Sequence, residues 1–130
     1  MRKYKIIIPE LTIPKKNSQQ ILINKRTRKP FIQQSNRYLS FEKICYYYLL
    51  PFRRLDVGNP ITKPINLKCT FYVPDKKRRD LANLLESIQD ILVKYEVIAD
   101  DNYLIVQSVD GSRIIYEKDR KETIIEITEV

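Results

Sequence analysis

The stretch Ile65-Asn-Leu-Lys-Cys-Thr-Phe-Tyr-Val73, Pro74-Asp-Lys-Lys-Arg-Arg-Asp80, Leu81-Ala-Asn-Leu-Leu-Glu-Ser-Ile-Gln-Asp-Ile-Leu-Val-Lys-Tyr95 decides the fold. Its first part alternates Ile65, Leu67, Cys69, Phe71 and Val73 with Asn66, Lys68, Thr70 and Tyr72. A period of two predicts a half-buried strand, and Pro74 closes it. The last part changes to a helical period. At about 100° per residue, Leu81, Leu84, Leu85, Ile88, Ile91, Leu92 and Tyr95 form one apolar stripe. Asp80 is placed to cap that helix.

Working outward, Tyr4–Ile8 reads as a strand stopped by Pro9. Gln20–Ile23 reads as a short edge strand with Phe31–Gln33 placed to pair with it, around a basic tip at Thr27. Ser35 to Leu50 reads as the first helix, with Tyr38, Phe41, Cys45, Tyr48 and Leu49 as its apolar positions. Tyr46 and Tyr47 are left partly exposed and suit a dimer contact. Beyond the second helix, strands are predicted at Tyr103–Val109, Arg113–Glu117 and Thr123–Thr128. Asp110-Gly111 reads as a hairpin turn or as a bulge in one long strand. The more polar Lys118–Lys121 favours the bulge. The sum is an α/β (α+β) chain: a small mixed β-sheet with two main helices in a single domain, residues 1–130.

With 130 residues and 43% hydrophobic content, one small core is expected, and help from a partner subunit is plausible. No run approaches the apolar length of a membrane span, and Ile6-Ile7-Ile8 is too short for a signal peptide. Cys45 and Cys69 fall in apolar patterns and read as buried free thiols of a cytoplasmic protein.

The chain has no histidine, which excludes Ser-His-Asp and Cys-His catalysis and most zinc sites. Its net charge of +8 conceals a division. Residues 1–79 hold 19 basic and 4 acidic side chains, whereas residues 80–130 hold 5 basic and 12 acidic. A basic surface implies a polyanion, most commonly nucleic acid. The polar face of the second helix carries Asp80, Asn83, Glu86, Ser87 and Asp90, with Lys94 the one cation, and Asp100-Asp101-Asn102 follows. A solvated acidic face is the simplest account of it. Against that, Glu86 and Asp90 repel at i,i+4, and the run Lys76-Lys77-Arg78-Arg79 abuts them. Magnesium reconciles acid with phosphate: it takes oxygen ligands, bridges carboxylates to phosphate and activates water.

The ordered set Asp75-Lys-Lys-Arg-Arg-Asp80-Leu-Ala-Asn83, then Asp90-Ile-Leu, then Asp100-Asp101-Asn102, resembles the RusA family of Holliday junction resolvases. Pro14-Lys15-Lys16-Asn17-Ser18 is similar to the family's N-terminal motif, and Ser108-Val-Asp-Gly-Ser-Arg113 to the form found in phage-type members. The resemblance implies a homodimer that cuts four-way DNA junctions by paired nicks with Mg²⁺, in DNA recombination and repair. It implies Asp80 and Asp101 as metal-binding carboxylates and Asp90 as a further functional acid. Ala82 stands where many members carry a second Asp, and Glu86 where some carry a functional lysine. Glu86, one turn beyond Ala82, is placed to replace the missing carboxylate and completes the candidate catalytic and metal set. Asn83, Asp100 and Lys94 are supporting candidates, and Lys76 or Lys94 could supply the charge of the absent lysine. DNA contacts fall to Lys15, Lys16, Asn17, Lys76, Lys77, Arg78 and Arg79. Lys25, Arg26 and Arg28 read either as a basic arm on DNA or as a soluble loop tip. The alternative is a non-catalytic branched-DNA-binding module of the same fold, in which Ala82 marks a decayed metal site.

Overall fold

The strand Ile65–Val73 (β4) is the axis of the sheet. Ile65, Leu67, Cys69, Phe71 and Val73 are buried, and the alternate residues face outward. The computed structural model describes residues 2–15 and 19–130. In chain order the elements are β1 Lys3–Ile8, β2 Gln19–Ile23, β3 Pro30–Gln34, α1 Asn36–Leu49, β4, α2 Leu81–Lys94, β5 Val106–Ser108, β6 Arg113–Tyr116 and β7 Glu122–Glu129. On one edge β4 pairs antiparallel with β7, from Ile65↔Glu129 to Tyr72↔Glu122, and β7 pairs antiparallel with β1. On the other edge β4 pairs in parallel with β5 and then with β6. The result is the predicted mixed sheet with two helices.

The two segments β5 and β6 occupy the same edge, so Asp110-Gly111 is an interruption and not a hairpin. The register drifts from Ile65↔Val106 to Thr70↔Arg113, which accommodates extra residues between the segments. Side chains fill in where the ladder lapses. Asn66 Oδ1 accepts from the Ser108 hydroxyl and from Asp110 N–H, at 2.5 and 2.9 Å. Ser112 Oγ accepts from Cys69 N–H at 2.9 Å and donates to the Leu67 carbonyl. Gly111 has φ +87°, and a Cβ there would come within 3.1 Å of the Lys68 side chain. The turn at residues 117–121 then carries the chain around the end of β4: Glu117 N–H donates to the Val73 carbonyl at 3.0 Å.

Two expectations need correction. Tyr103–Ile105 is a turn and not the start of a strand, and Tyr103 and Leu104 are exposed. Asn102 captures the backbone: its carbonyl accepts from Ile105 and Val106 N–H, and its side chain from Leu104 N–H. An asparagine that turns its own chain in this way competes with strand pairing. Tyr48 is exposed and does not join the core. The buried stripe of α1 is Tyr38, Phe41, Glu42, Cys45 and Leu49, which leaves Tyr48 at its margin. Tyr46 is half-buried against Tyr95, with ring centroids 5.1 Å apart, and Tyr47 is exposed.

Ser35 caps α1, its hydroxyl accepting from Tyr38 N–H at 3.1 Å. Both helices contribute to one core with Ile6 and Ile8 of β1, the inner side chains of β4, and Ile125 and Ile127 of β7. They therefore cover one face of the sheet. Cys45 and Cys69 are free and buried, as expected, and burial pushes the Cys45 thiol up to about 12. Strands β2 and β3 pair as expected, with Ile21↔Ile32 and Leu22↔Phe31 in register, but as a separate two-stranded sheet and not an edge of the main one. No helix among the described residues is long and apolar enough to cross a membrane.

Candidate nucleic-acid and metal site

The basic loop before α2 is folded on Asp75. Its carboxylate accepts from Lys77 N–H at 3.0 Å and from the Arg79 guanidinium at 2.7 Å. Arg79, with the backbone bond from Lys77, holds the Asp75 carboxyl down at about 2. Lys76 lies 5.2 Å from the Tyr116 ring centroid. Lys76, Lys77 and Arg78 are exposed, whereas Arg79 is half-buried. The next residue, Asp80, caps α2: its side chain accepts from Ala82 N–H at 3.0 Å. The change from basic to acidic chain thus falls at a helix start.

The polar face of α2 is not open along its whole length. Ser87 is fully buried on that face, beneath the segment that follows Ile13. Its hydroxyl donates to the Ile13 carbonyl at 2.9 Å and accepts from Lys15 N–H at 2.7 Å. A Thr12–Thr123 hydroxyl pair at 2.6 Å fastens the same segment to β7. This crossing brings Lys15 Nζ to within 3.6 Å of Asp90. Lys16 and Asn17, the other two candidates in this motif, lie outside the described residues.

Beyond the crossing, Asp101 lies within electrostatic reach of Asp100 and Asp90. Asp101 is raised above the ordinary carboxylate range by burial first, then by its hydrogen bond with Asp100 and the negative charges of Asp100 and Asp90. Asp100 also accepts from Asp101 N–H at 2.7 Å, which closes the turn. The Tyr38 side chain is fully buried beside Glu42, with Asp90 a weaker electrostatic neighbour. Burial, then the charge of Glu42, pushes Tyr38 well above its usual range. Lys94, a candidate for charge beside a metal, is taken up elsewhere. It forms an ion pair with Glu42, whose side chain is only 10% exposed, and lies over the Tyr95 ring. A carboxylate buried to that degree requires a cation, and Lys94 supplies it.

The predicted residues therefore divide into two groups. Asp100 and Asp101 follow the C-terminal end of α2, within electrostatic reach of Asp90. Asp80 is ten residues back along the helix, about 15 Å from Asp90 at the α-helical rise. The sheet separates the groups further. Asp80 follows the end of β4, whereas Asp101 precedes β5, which pairs with the start of β4 at Ile65↔Val106. Glu86 is exposed between them with no ion pair among the described residues, and Asn83 is half-buried. Among the described residues, no three acidic or cysteine side chains are close enough to hold a metal ion by themselves. The donor chemistry at Asp90 and Asp101 nevertheless fits a hard cation, which would take oxygen ligands and waters there and displace the Lys15 ammonium from Asp90. Lys25, Arg26 and Arg28 are exposed at the β2–β3 tip, where Asn24 Oδ1 accepts from Arg26 and Thr27 N–H.

Sequence reasoning missed the burial of Ser87 and two cations, Arg37 and Lys121, that line a cavity with Asp80. The burial of Ser87 had one signal, a small residue in a charged face. Arg37 and Lys121 had none, because they are remote from α2 in the chain. Comparison with protein-family models and with curated proteins gives no match to this chain.

Proposed function

We propose that this protein is a magnesium-dependent, structure-selective endodeoxyribonuclease of the RusA type, acting on four-way DNA junctions. The observation that carries the reading is Asp101 set against the charges of Asp100 and Asp90, with Lys15 the one cation paired to them among the described residues, on a protein of net charge +8. Like charges crowded at one point oppose folding, and a bound cation relieves them. Asp90 and Asp101 would hold the metal, with Asp100 supporting the turn. Magnesium, when bound, supplies a water of lowered pKa and offsets charge on the leaving oxygen. Lys77 and Arg78 hold the phosphate backbone without reading sequence. Lys15 neutralises Asp90 in the metal-free protein and is placed to turn to phosphate when a cation takes over.

Asp80 completes the set through symmetry. One chain keeps it apart from Asp101, and a two-fold dimer is the assembly that can place Asp80 of one copy beside Asp101 of the other. The same symmetry matches a junction, with one site on each of two opposed strands. Glu86, free on the intervening face, is available to either copy's site.

Mixed dimers test the arrangement. Asp80→Asn and Asp101→Asn homodimers should each fail to cut. Their heterodimer should regain single-strand nicking, because one of its two sites is then wholly wild type. A heterodimer as inactive as the parents puts both acids in one subunit's site. The second reading, a branched-DNA-binding module without catalysis, is favoured by Ala82 and by the absence of a three-acid group among the described residues. Junction binding in EDTA with no nicking by the wild-type protein in magnesium would establish it.

A further inference from the structure

Residues 11–14, the basic loop and the first turn of α1 surround a cavity of about 330 Å³ at the Asp80 end of α2. Its walls carry five cations, Arg37, Lys77, Arg78, Arg79 and Lys121, against the carboxylates of Asp75 and Asp80. Arg79 is already paired with Asp75. Arg37, Arg78 and Lys121 have no carboxylate partner among the described residues. They come from three separate parts of the chain: α1, the loop before α2, and the residue before β7.

Folding gives no reason for two of these charges. Arg37 lies in the first turn of α1, where the helix macrodipole disfavours a cation, and that turn carries no acid. Lys121 contrasts with its neighbour. Arg120 bonds Glu117 and Glu122, each at 2.8 Å, and lies 3.4 Å from the Tyr72 ring centroid. Lys121 makes no such contact. An adjoining cavity shares Arg37 and Lys121 and adds Glu10, which forms an ion pair with neither. Convergent cations in excess over the carboxylates beside them form a seat for an anion. Guanidinium groups favour phosphate, whose oxygens match their forked geometry. With about 30 Å³ as the share of one water, the space exceeds a bare phosphate and suits a phosphodiester with its sugar.

We infer that this cavity seats one backbone phosphate of the bound DNA strand, with Arg37 and Lys121 as phosphate-binding residues beside Arg78. The inference rests on DNA being the ligand, as proposed above. It adds two contacts and places the strand against Asp80.

The test is binding of a fluorescent four-way junction in EDTA across a potassium chloride series. The Arg37→Gln/Lys121→Gln protein is compared with Lys43→Gln/Lys63→Gln, which removes the same charge elsewhere. The cavity variant should bind about tenfold more weakly than this control, with the log–log salt slope reduced by about one, the value for one lost phosphate contact. Arg37→Lys/Lys121→Arg, which keeps the charge, should retain most of the affinity. Equal affinity and slope in the cavity variant and the control overturn the inference. So does protection of the wild type alone against thermal unfolding by inorganic phosphate, with junction binding unchanged in the variant; the cavity would then serve small anions and not DNA. Because binding is read without metal, a wild-type protein that binds through the cavity and never cuts in magnesium removes the nuclease proposal and leaves this one standing.

Discussion

Ser87 and Asp80 each combine structure with the layout of the site. Ser87 is the single hydroxyl that ties residues 13–15 to α2, accepting one bond and donating another. Ser87→Ala removes both of these hydrogen bonds from a buried position. It should cost about 1–3 kcal/mol in urea unfolding. It should also release Lys15 from Asp90, so that junction affinity changes along with stability; a neutral outcome in both would show that the crossing is held by other contacts. For Asp80, the cap and the proposed metal ligand can be separated. Asparagine caps as well as aspartate, whereas Asp80→Ala should lose about 1 kcal/mol of stability. Asp80→Asn should unfold like wild type and bind junctions at least as tightly, having lost a negative charge beside phosphate. The buried thiol and phenol give a pH signature. The folded pKa of Cys45 is raised from 9.0 to about 12, so the folded state retains a proton that the unfolded state loses. The associated stability is complete below pH 9 and declines as pH rises towards about 12. Tyr38 shifts in the same direction. Urea midpoints should therefore fall across that alkaline window, and a flat profile would mean that these groups are not sequestered.

Among the elements, β4 and α2 were legible because each buries one face, and burial of one face writes a period into the chain. Ile65 to Val73 alternates for its whole length, and Leu84, Leu85, Ile88, Ile91 and Leu92 are the buried stripe that the helical period requires. The bulge at Asp110-Gly111 was also legible, because Lys118–Lys121 is the stronger polar break. Failures came where tertiary or side-chain contacts override pattern. Asn102 bends Tyr103–Ile105 out of the strand its composition suggests. The segment around Ile13 covers Ser87 in the middle of a polar face, a contact over 74 residues of chain that no local period records. Lys94 turns to Glu42, a buried acid on another helix. In the β2–β3 sheet, Ile21 and Ile23 remain 77% and 69% exposed, so its pairing is local and its apolar side chains contribute little to the core. Replacing Lys25, Arg26, Arg28 and Lys29 with serine should accordingly leave unfolding within about 0.5 kcal/mol of wild type, as for exposed sites generally. If the tip is a DNA arm, the same protein should bind junctions more weakly with a shallower salt dependence; unchanged binding assigns it as a soluble loop.

At the scale of the molecule, folding mixes the two charged halves of the sequence: Lys121 joins the cations at the start of α2, and Lys15 pairs with Asp90. Cations gather around the cavity at the start of α2, and Asp90, Asp100 and Asp101 lie towards its other end. The sequence placed Asp80, Glu86 and Asp90 on one polar helix face with Asp101 shortly after it, but one face can span two ends. That length is the physical reason for expecting a second copy to complete each site. The exposed Tyr47 and Tyr48 on α1, at 62% and 41%, together with Leu50, offer apolar surface for such a contact. The central claim is metal-dependent junction cutting. It is tested most directly by incubating wild type, Asp80→Asn and Asp101→Asn with a synthetic immobile four-way junction and a linear duplex across a magnesium titration. The account predicts paired nicks in opposite strands of the junction by wild type alone, dependent on magnesium, with the duplex intact and both variants still bound. Bound junction left uncut by the wild type at every magnesium concentration, or cut equally well by Asp101→Asn, would contradict it.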